Sequence, residues 1–186
     1  MNTLELKHVC DVDHLVHPEE FSDLGWSSPA LDVFTDFRYH QPQVIERTVP
    51  AAKAADLMAA AHVHLLVVVD LDDEFVGTLN TRQIEQQRLM QQVAKGQSRD
   101  SLLVEDVMTH RRDVLALEYE ELLSATIGNV VESLREHGFE HCMVVDSAKH
   151  QIRGLISTED IARRIHMPIE VSHRRTFAEI FQAINH

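Results

Sequence analysis

The stretch Gly154-Leu-Ile-Ser-Thr-Glu-Asp-Ile161 is the most informative part of this chain for its fold. It follows the apolar run Val144-Val145 and a short polar turn, so the pattern predicts a strand, a turn, a second strand and then a helix. Ser157 and Asp160 lie where the second strand becomes the helix. A helix start presents free backbone N–H groups and partial positive charge, which favour a bound phosphate or carboxylate. The sequence therefore predicts a ligand site at this junction.

Much of the chain from residue 30 onward is repeated. Three segments recur at a nearly constant offset of about 74 to 77 residues, which indicates two copies of one structural unit. The pairs are Asp32-Val-Phe-Thr35 with Asp106-Val-Met-Thr109, Val67-Val-Val-Asp70 with Met143-Val-Val-Asp146, and Gly77-Thr-Leu-Asn80 with Gly154-Leu-Ile-Ser157. We therefore expect two similar modules in tandem.

Each copy is predicted to contain a strand, a helix, two strands and a second helix, which makes the fold α+β. Unbroken apolar runs rich in valine predict buried strands, and the alanine-rich segment that begins at Pro50 predicts a helix, because proline is tolerated in a first turn. Gly138 is a natural helix stop. The elements placed are strands 65–69 and 75–79 and a helix over 81–93 in the first copy, and a helix over 120–137, strands 143–145 and 152–156 and a helix over 158–166 in the second.

Composition limits the class of protein. The 186-residue chain is 44% hydrophobic and 25% charged, as expected for a globular protein. Its formal net charge of −13 repels nucleic acid backbones and anionic membrane surfaces. Cys10 and Cys142 form no metal-like pair, so reduced thiols are the simplest interpretation. With no signal-like start and no long apolar run, we expect a cytoplasmic protein that binds neither nucleic acid nor membrane.

These patterns divide the chain into four parts. We predict a polar N-terminal arm over 1–27, a first repeat over 28–95, a second repeat over 96–168 and a C-terminal amphipathic helix over 169–186. The C-terminal helix carries one apolar stripe of helical spacing, Phe177, Ile180, Phe181 and Ile184. Because this stripe adds to the apolar surface of the repeats, we expect a homodimer.

The N-terminal arm has two interpretations. His8, Cys10, His14 and His17 are closely spaced, and imidazole and thiolate are the usual ligands of transition metals. Their spacing matches no named zinc pattern. We therefore favour an arm that packs loosely on the domain, and we expect no metal cofactor.

The repeated segments resemble the CBS (cystathionine-β-synthase-type) domain family. The second copy is the closer match, with Val104-Glu-Asp-Val-Met-Thr109 at its entry, Val144-Val145-Asp146 before the turn and Gly154-x-x-Ser157-x-x-Asp160 at its end. The resemblance covers roughly residues 28–166. It implies two βαββα CBS repeats packed as a pseudo-twofold pair and commonly dimerised into a disk. Many members of the family bind adenosine-containing ligands in the clefts between the repeats.

The resemblance also implies which residues bind a ligand. Ser157 matches the family's hydroxyl that contacts ribose or phosphate, and Asp160 matches its ribose-binding carboxylate, whose lone pairs accept from both ribose hydroxyls. In the family, apolar strand residues line the adenine face. Here these are Val114, Met143 and Ile156, with Met143 in the place of a common proline.

A phosphate in this site needs positive charge nearby, because the two acidic residues of the motif would otherwise repel it. Arg111 and Arg112, directly after the entry motif, are the favoured candidates, ahead of Arg153 and Arg163. Each arginine also has a simpler interpretation as an exposed surface charge.

Ser157 and Asp160 also fit a purely structural role. Ser-Thr-Glu-Asp is a capping box, in which a hydroxyl and an acid three residues later satisfy backbone N–H groups at a helix start. The first copy provides an internal comparison, because Asn80-Thr-Arg-Gln83 can also cap a helix but lacks the carboxylate. We therefore predict one ligand site, in the second copy, and an empty or altered site in the first.

These observations lead to two hypotheses about function. In the first, the chain is a non-catalytic regulatory module that senses AMP, ADP, ATP or S-adenosylmethionine through the second cleft and signals to an unidentified partner protein. In the second, it is a structural or dimerisation module with vestigial clefts. A metal-dependent enzyme is not favoured, because no His-Glu-x-x-His or comparable spacing occurs in the sequence.

Overall fold

The computed structural model describes residues 24–86 and 102–171. The strands are β1 (Thr35–Asp36), β2 (Val44–Glu46), β3 (Leu65–Val69), β4 (Phe75–Asn80), β5 (Thr109–His110), β6 (Ala116–Glu118), β7 (His141–Asp146) and β8 (Gln151–Ser157). The helices are α1 (Ala51–Ala61), α2 (81–86 within the described residues), α3 (Val104–Val107), α4 (Tyr119–Leu122), α5 (Ile127–His137) and α6 (Thr158–Arg164). Two 3₁₀ turns cover Ala30–Val33 and Arg111–Asp113.

The strands form two four-stranded sheets of the same design. In the orders β2-β3-β4-β5 and β6-β7-β8-β1, the first two strands are parallel and the following pairs are antiparallel. Three strands of each sheet belong to one repeat, and α1 with α2, or α5 with α6, completes the βαββα unit. The prediction of an α+β fold with two repeats is confirmed.

The fourth strand of each sheet is exchanged between the repeats. β1, which precedes the first repeat's own strands, pairs with β8 of the second repeat and places Asp36 opposite Gly154. β5 precedes the second repeat's own strands, pairs with β4 of the first repeat and places His110 opposite Gly77. This exchange was not predicted from the sequence, and it determines which residues share a cleft.

Each repeat has its own hydrophobic core, and the exchanged segments extend into both. Ala30 and Val33 of the first 3₁₀ turn are buried in the core of the second repeat. Val104 of α3 is buried in the core of the first repeat. A third cluster contains residues of both sheets, among them Val67, Val69 and Met143. Because apolar burial is the main favourable term in folding, these clusters hold the two repeats together.

The predicted helix over 120–137 is two helices, α4 and α5, so the prediction of one continuous helix was wrong. Thr126 caps α5: its Oγ1 accepts the N–H of Asn129 at 3.3 Å, and Asn129 Oδ1 accepts the N–H of Thr126 at 3.0 Å. Such a reciprocal cap favours a new helix start. The carbonyl of Ala125, at the break, accepts the N–H of Ala30 at 2.9 Å. Gly138, with a φ of 71°, ends α5 as predicted.

The other predicted strands and helices of the described residues lie close to their observed positions. Their ends differ by at most about two residues, which is the ordinary variation of such boundaries. Differences of two residues occur at the end of α6, which is Arg164 rather than residue 166, and at the start of β7, which is His141 rather than Met143.

Several predictions lie outside the described residues. They are the end of the helix at 87–93, the group His8, Cys10, His14 and His17, and the stripe Phe177, Ile180, Phe181 and Ile184. The four-part division of the chain also stays a prediction. Within 24–86 and 102–171, none of the helices has the length and apolar character of a transmembrane segment.

Candidate functional site

A cavity of about 260 Å³ lies between the two repeats, beside the junction of β8 and α6. Ser157 and Asp160 both line this cavity, so the structure brings the two motif residues together at one site. Its walls come from both repeats. The lining residues are Thr35, Phe37, Gln41, Pro42, Gln43, His62, Val63, His64, Leu65, Val67, His141, Leu155, Ser157, Glu159, Asp160 and Arg163.

Ser157 and Asp160 have structural partners and spare hydrogen-bonding capacity. The Oγ of Ser157, which is 6% exposed, accepts the N–H of Asp160 at 3.4 Å and so caps α6. Its hydroxyl proton remains a donor. The Asp160 carboxylate is 37% exposed and accepts a hydrogen bond from Arg163 on the same helix. A carboxylate has about four lone-pair sites, so further hydrogen bonds to this group are possible.

The apolar wall of the cavity was missed by the sequence analysis. Phe37 follows β1, Leu65 and Val67 lie on β3, and Leu155 lies on β8. All four also belong to the hydrophobic cluster shared by the two sheets. Phe37 lies just after Asp32-Val-Phe-Thr35, the first of the repeated segments. This position in the sequence assigns Phe37 to the cavity only when β1 is known to pair with β8.

The equivalent junction of the first repeat is arranged differently. Asn80 Oδ1 accepts the N–H of Gln83 at 2.9 Å, and Gln83 Oε1 accepts the N–H of Asn80 at 2.8 Å. Gln83 Nε2 also donates to Thr109 Oγ1 at 2.8 Å, so both amide groups of this pair are engaged in capping and packing. The cleft beside Asn80 has a volume of only about 90 Å³. The carboxylate among its lining residues is that of Asp113, which lies in the second 3₁₀ turn and not at a helix start.

Two of the predicted adenine-facing residues lie at this smaller cleft. Val114 and Met143 line it together with Asn80, and neither lines the cavity beside Ser157. The reason is the strand exchange: Val114 follows β5, which pairs with β4 of the first repeat. The segment 41–43, which follows β1, occupies the corresponding position in the larger cavity.

The structure also separates the remaining predicted residues from Ser157. Ile156 is fully buried in the core of the second repeat, because neighbouring residues on a strand point to opposite faces of the sheet and Leu155 and Ser157 face the cavity. Arg111 and Arg112 lie in an open groove on the first sheet, beside acidic residues Asp70 and Glu74. These placements do not match the predicted single site.

Both carboxylates of the larger cavity, on Glu159 and Asp160, have a side-chain partner. His64 Nε2, from the turn before β3, lies 3.3 Å from Glu159 Oε2, so this contact joins the two repeats across the cavity. Asp160 pairs with Arg163. Burial lowers the pKa of His141 and favours its neutral form. Within the described residues, no group of three or more His, Cys, Asp or Glu side chains is placed to hold a metal ion.

The comparison with protein families agrees with this geometry. The CBS domain family matches residues 35–86 and 104–167, which together make up more than half of the chain. The chain therefore belongs to the CBS domain family. No curated protein matches it in sequence.

Solved structures with the same fold include proteins with bound adenosine compounds. An uncharacterised conserved protein from Pyrococcus horikoshii is 19% identical, with a TM-score of 0.58 over 80% of this chain and 100% of that one. CBSX2 in complex with AMP is 20% identical, with a TM-score of 0.51 over 73% and 94%. The CBS domain pair of protein MJ0100, in complex with 5′-methylthioadenosine and S-adenosyl-L-methionine, is 18% identical, with a TM-score of 0.52 over 73% and 94%. At these identities the similarity shows the fold.

Proposed function

We propose that this chain is a non-catalytic regulatory module that binds one adenosine-containing ligand, in the cavity beside Ser157 and Asp160. The observation that carries the proposal is the presence of both motif residues on one cavity with an apolar wall. Two proteins of similar fold have been solved with AMP or with S-adenosylmethionine and 5′-methylthioadenosine. A volume of about 260 Å³ lies near the lower end of the roughly 300–1,000 Å³ typical of ligand pockets.

In the proposed complex, the base packs against the apolar wall and the ribose meets α6. Phe37, Leu65 and Leu155 provide the apolar surface. Asp160 accepts hydrogen bonds from the ribose hydroxyls, and Ser157 donates its hydroxyl proton to the ribose or to the 5′ substituent. Val114, Met143, Arg111 and Arg112 take no part, since they lie at other clefts. Ile156 supports the site only from the core.

A ligand in this cavity contacts both repeats, because the walls come from both. It therefore stabilises arrangements of the pair that fit it, which is the physical basis of a regulatory response. The signal then passes to a partner protein or through assembly of the chain, in a cytoplasmic homodimer as the sequence predicts.

The alternative is a structural module with vestigial clefts. Three observations favour it: Ser157 caps α6, Asp160 pairs with Arg163, and the first cleft has a volume of only about 90 Å³. The two functions differ in ligand-induced stabilisation. A ligand at a hundred times its dissociation constant adds about 2.7 kcal/mol to the free energy of unfolding, and a vestigial cleft adds none.

Replacing Asp160 with asparagine is expected to weaken binding of the adenosine ligand about ten- to a hundredfold, while stability changes little. Asparagine keeps the size of the side chain but removes the charge and one acceptor oxygen, and a hydrogen bond to a charged group contributes about 1.5–3 kcal/mol. Titration calorimetry with AMP and with S-adenosylmethionine measures the loss.

The control for this prediction is Gln83→Ala, at the equivalent position of the first repeat. We expect it to leave the ligand affinity nearly unchanged. Two equivalent sites per chain, or equal losses from the two variants, would reject the single-site proposal. If no adenosine compound binds the unmodified protein at millimolar concentration, the structural alternative is correct.

A further inference from the structure

We infer that this cavity selects adenosine compounds whose 5′ substituent is uncharged or cationic, and disfavours adenosine phosphates, because Glu159 places a carboxylate at the cavity beside Asp160. This inference rests on the proposed adenosine site and adds the charge class of the ligand.

The charges that line the cavity are predominantly acidic. Glu159 and Asp160 contribute two carboxylates, and Arg163 is the one arginine among the described lining residues, which include no lysine. Arg163 is 71% exposed and already paired with Asp160, so it is poorly placed to neutralise a phosphate as well. The cavity therefore carries a net negative charge when its histidines are neutral.

The arginines expected to compensate a phosphate are engaged elsewhere. Arg111 and Arg112 line the groove on the first sheet, and Arg111 donates to the carbonyl of Phe75 at 3.4 Å. Arg153 is 4% exposed and donates to Asp36 at 3.0 and 2.7 Å. Arg111, Arg112 and Arg153 therefore do not line the cavity.

Glu159 is held toward the cavity by a contact across it. Its Oε2 lies 3.3 Å from His64 Nε2 of the first repeat. The side chains of both residues are at least half exposed, so they lie at the solvent side of the cavity. Glu159 and Asp160 are neighbours in the first turn of α6 and both line the cavity. A phosphate on a ribose bound at Asp160 is therefore repelled by the nearby Glu159 carboxylate.

The charge of the ligand's 5′ substituent adds to that of the two carboxylates at the cavity. His141 also lines the cavity, and burial lowers its pKa, which favours its neutral form. Each negative charge that a ligand adds close to the carboxylates of Glu159 and Asp160 is expected to weaken binding on the order of tenfold, because like charges repel. Thioether and sulfonium substituents avoid this repulsion, and a sulfonium cation is attracted.

The test compares five probes by titration calorimetry at pH 8: adenosine, 5′-methylthioadenosine, S-adenosylmethionine, AMP and ATP. We expect 5′-methylthioadenosine and S-adenosylmethionine to bind at least tenfold more tightly than ATP. The affinity for AMP is expected to lie between that for ATP and that for the two sulfur compounds. In Glu159→Gln, the affinity for AMP and ATP is expected to rise about tenfold relative to that for 5′-methylthioadenosine. The matched control is Glu132→Gln, which removes the same charge from an exposed position on α5 that does not line the cavity.

The outcomes separate this inference from the proposed function. If all five probes bind but AMP or ATP binds most tightly, or if Glu159→Gln leaves the ratio of affinities unchanged, the charge selection is wrong and the adenosine site stands. If Glu132→Gln shifts the ratio as much as Glu159→Gln, the effect comes from the net charge of the protein and the role of Glu159 is refuted. If none of the probes binds at millimolar concentration, the adenosine site and its selectivity are both wrong.

Discussion

Replacing Arg153 with methionine is expected to lower the free energy of unfolding by about 3–5 kcal/mol, because it leaves a buried carboxylate without its main partner. In a domain of this size the loss corresponds to a fall in Tm on the order of 10 °C. Methionine keeps much of the volume of the side chain, so the effect reports on charge and hydrogen bonding rather than on a cavity. Urea denaturation followed by circular dichroism measures it.

The contacts of Arg153 explain the size of this effect. Its Nε donates to Asp36 Oδ1 at 3.0 Å and its Nη2 to Oδ2 at 2.7 Å, a bidentate pair of the strongest type. The guanidinium carbon also lies 4.2 Å from the centre of the Tyr119 ring. Arg153 is 4% and Asp36 9% exposed, so little water replaces a lost partner. Asp36 lies on the exchanged strand β1 and Arg153 on β8, so the pair fastens the two repeats to each other.

Two further variants serve as controls. Arg38→Met removes a second arginine from the same carboxylate, but Arg38 is 57% exposed, so we expect a loss of at most about 1 kcal/mol. The double variant Asp36→Leu/Arg153→Met is expected to lose less than the sum of its single variants, because neither charge is left buried alone. If Arg153→Met costs no more than Arg38→Met, the pair does not fasten the repeats.

The same pair is expected to make the protein acid-sensitive. The Arg153 guanidinium holds the pKa of Asp36 well below its usual value of 3.8. A carboxyl group with a depressed pKa in the folded state stabilises fully above its unfolded pKa, and this stability is lost as pH falls below about 4. The difference in unfolding free energy between the unmodified protein and Asp36→Asn should therefore be constant from pH 7 to 5 and shrink toward pH 3.

The comparison of the two proteins isolates Asp36 from other acids. Hydrogen bonds from Ser147 lower the pKa of Glu118, and Lys149 lowers that of Asp146, so both groups also contribute to acid sensitivity. They are present in both proteins and cancel in the difference. A difference that stays constant down to pH 3 would show that the Asp36 carboxylate does not contribute through its charge.

The architecture was predictable from the sequence because it is encoded in local patterns that occur twice. The valine-rich strand at Val67 and its copy at Val144, each followed by a turn and a glycine, predicted the βαββα units that the structure contains. The break between α4 and α5 was not predicted, because it depends on a side-chain cap at Thr126 and on a backbone contact with the distant residue Ala30.

The composition of the site was less predictable because it depends on the pairing of distant segments. Ser157 and Asp160 are close in sequence, and the structure places both at the cavity. The adenine-facing residues were assigned from the same copy, whereas the exchange of β1 and β5 moves Val114 to the other cleft and brings Phe37 to this one. The pair of Asp36 and Arg153 spans 117 residues and has no counterpart in the other sheet, where the positions at the repeat offset are Val76 on β4 and His110 on β5.

Replacing Gly154 with alanine is expected to destabilise the protein by about 3 kcal/mol or more, since it forces atoms into a space already filled by the exchanged strand. A Cβ at this position would overlap the carbonyl oxygen of Thr35 and the ring of Phe34. The oxygen belongs to the backbone of β1, which cannot move away without disturbing its pairing with β8. The glycine of the motif is thus required where a strand of the other repeat crosses closely.

The first repeat provides an independent test of this explanation, because Gly77 also lies against the backbone of an exchanged strand. A Cβ there would overlap the carbonyl oxygen of Thr109 on β5, so Gly77→Ala should cost about as much as Gly154→Ala. Gly25→Ala is the matched control, with no atom within 4 Å of its added Cβ and an expected change within about 0.5 kcal/mol. Urea denaturation of the three variants decides the matter. If the substitutions at 77 and 154 are as mild as the one at 25, the sheets tolerate a wider spacing at both crossings, and close approach of the exchanged strands is not what requires glycine.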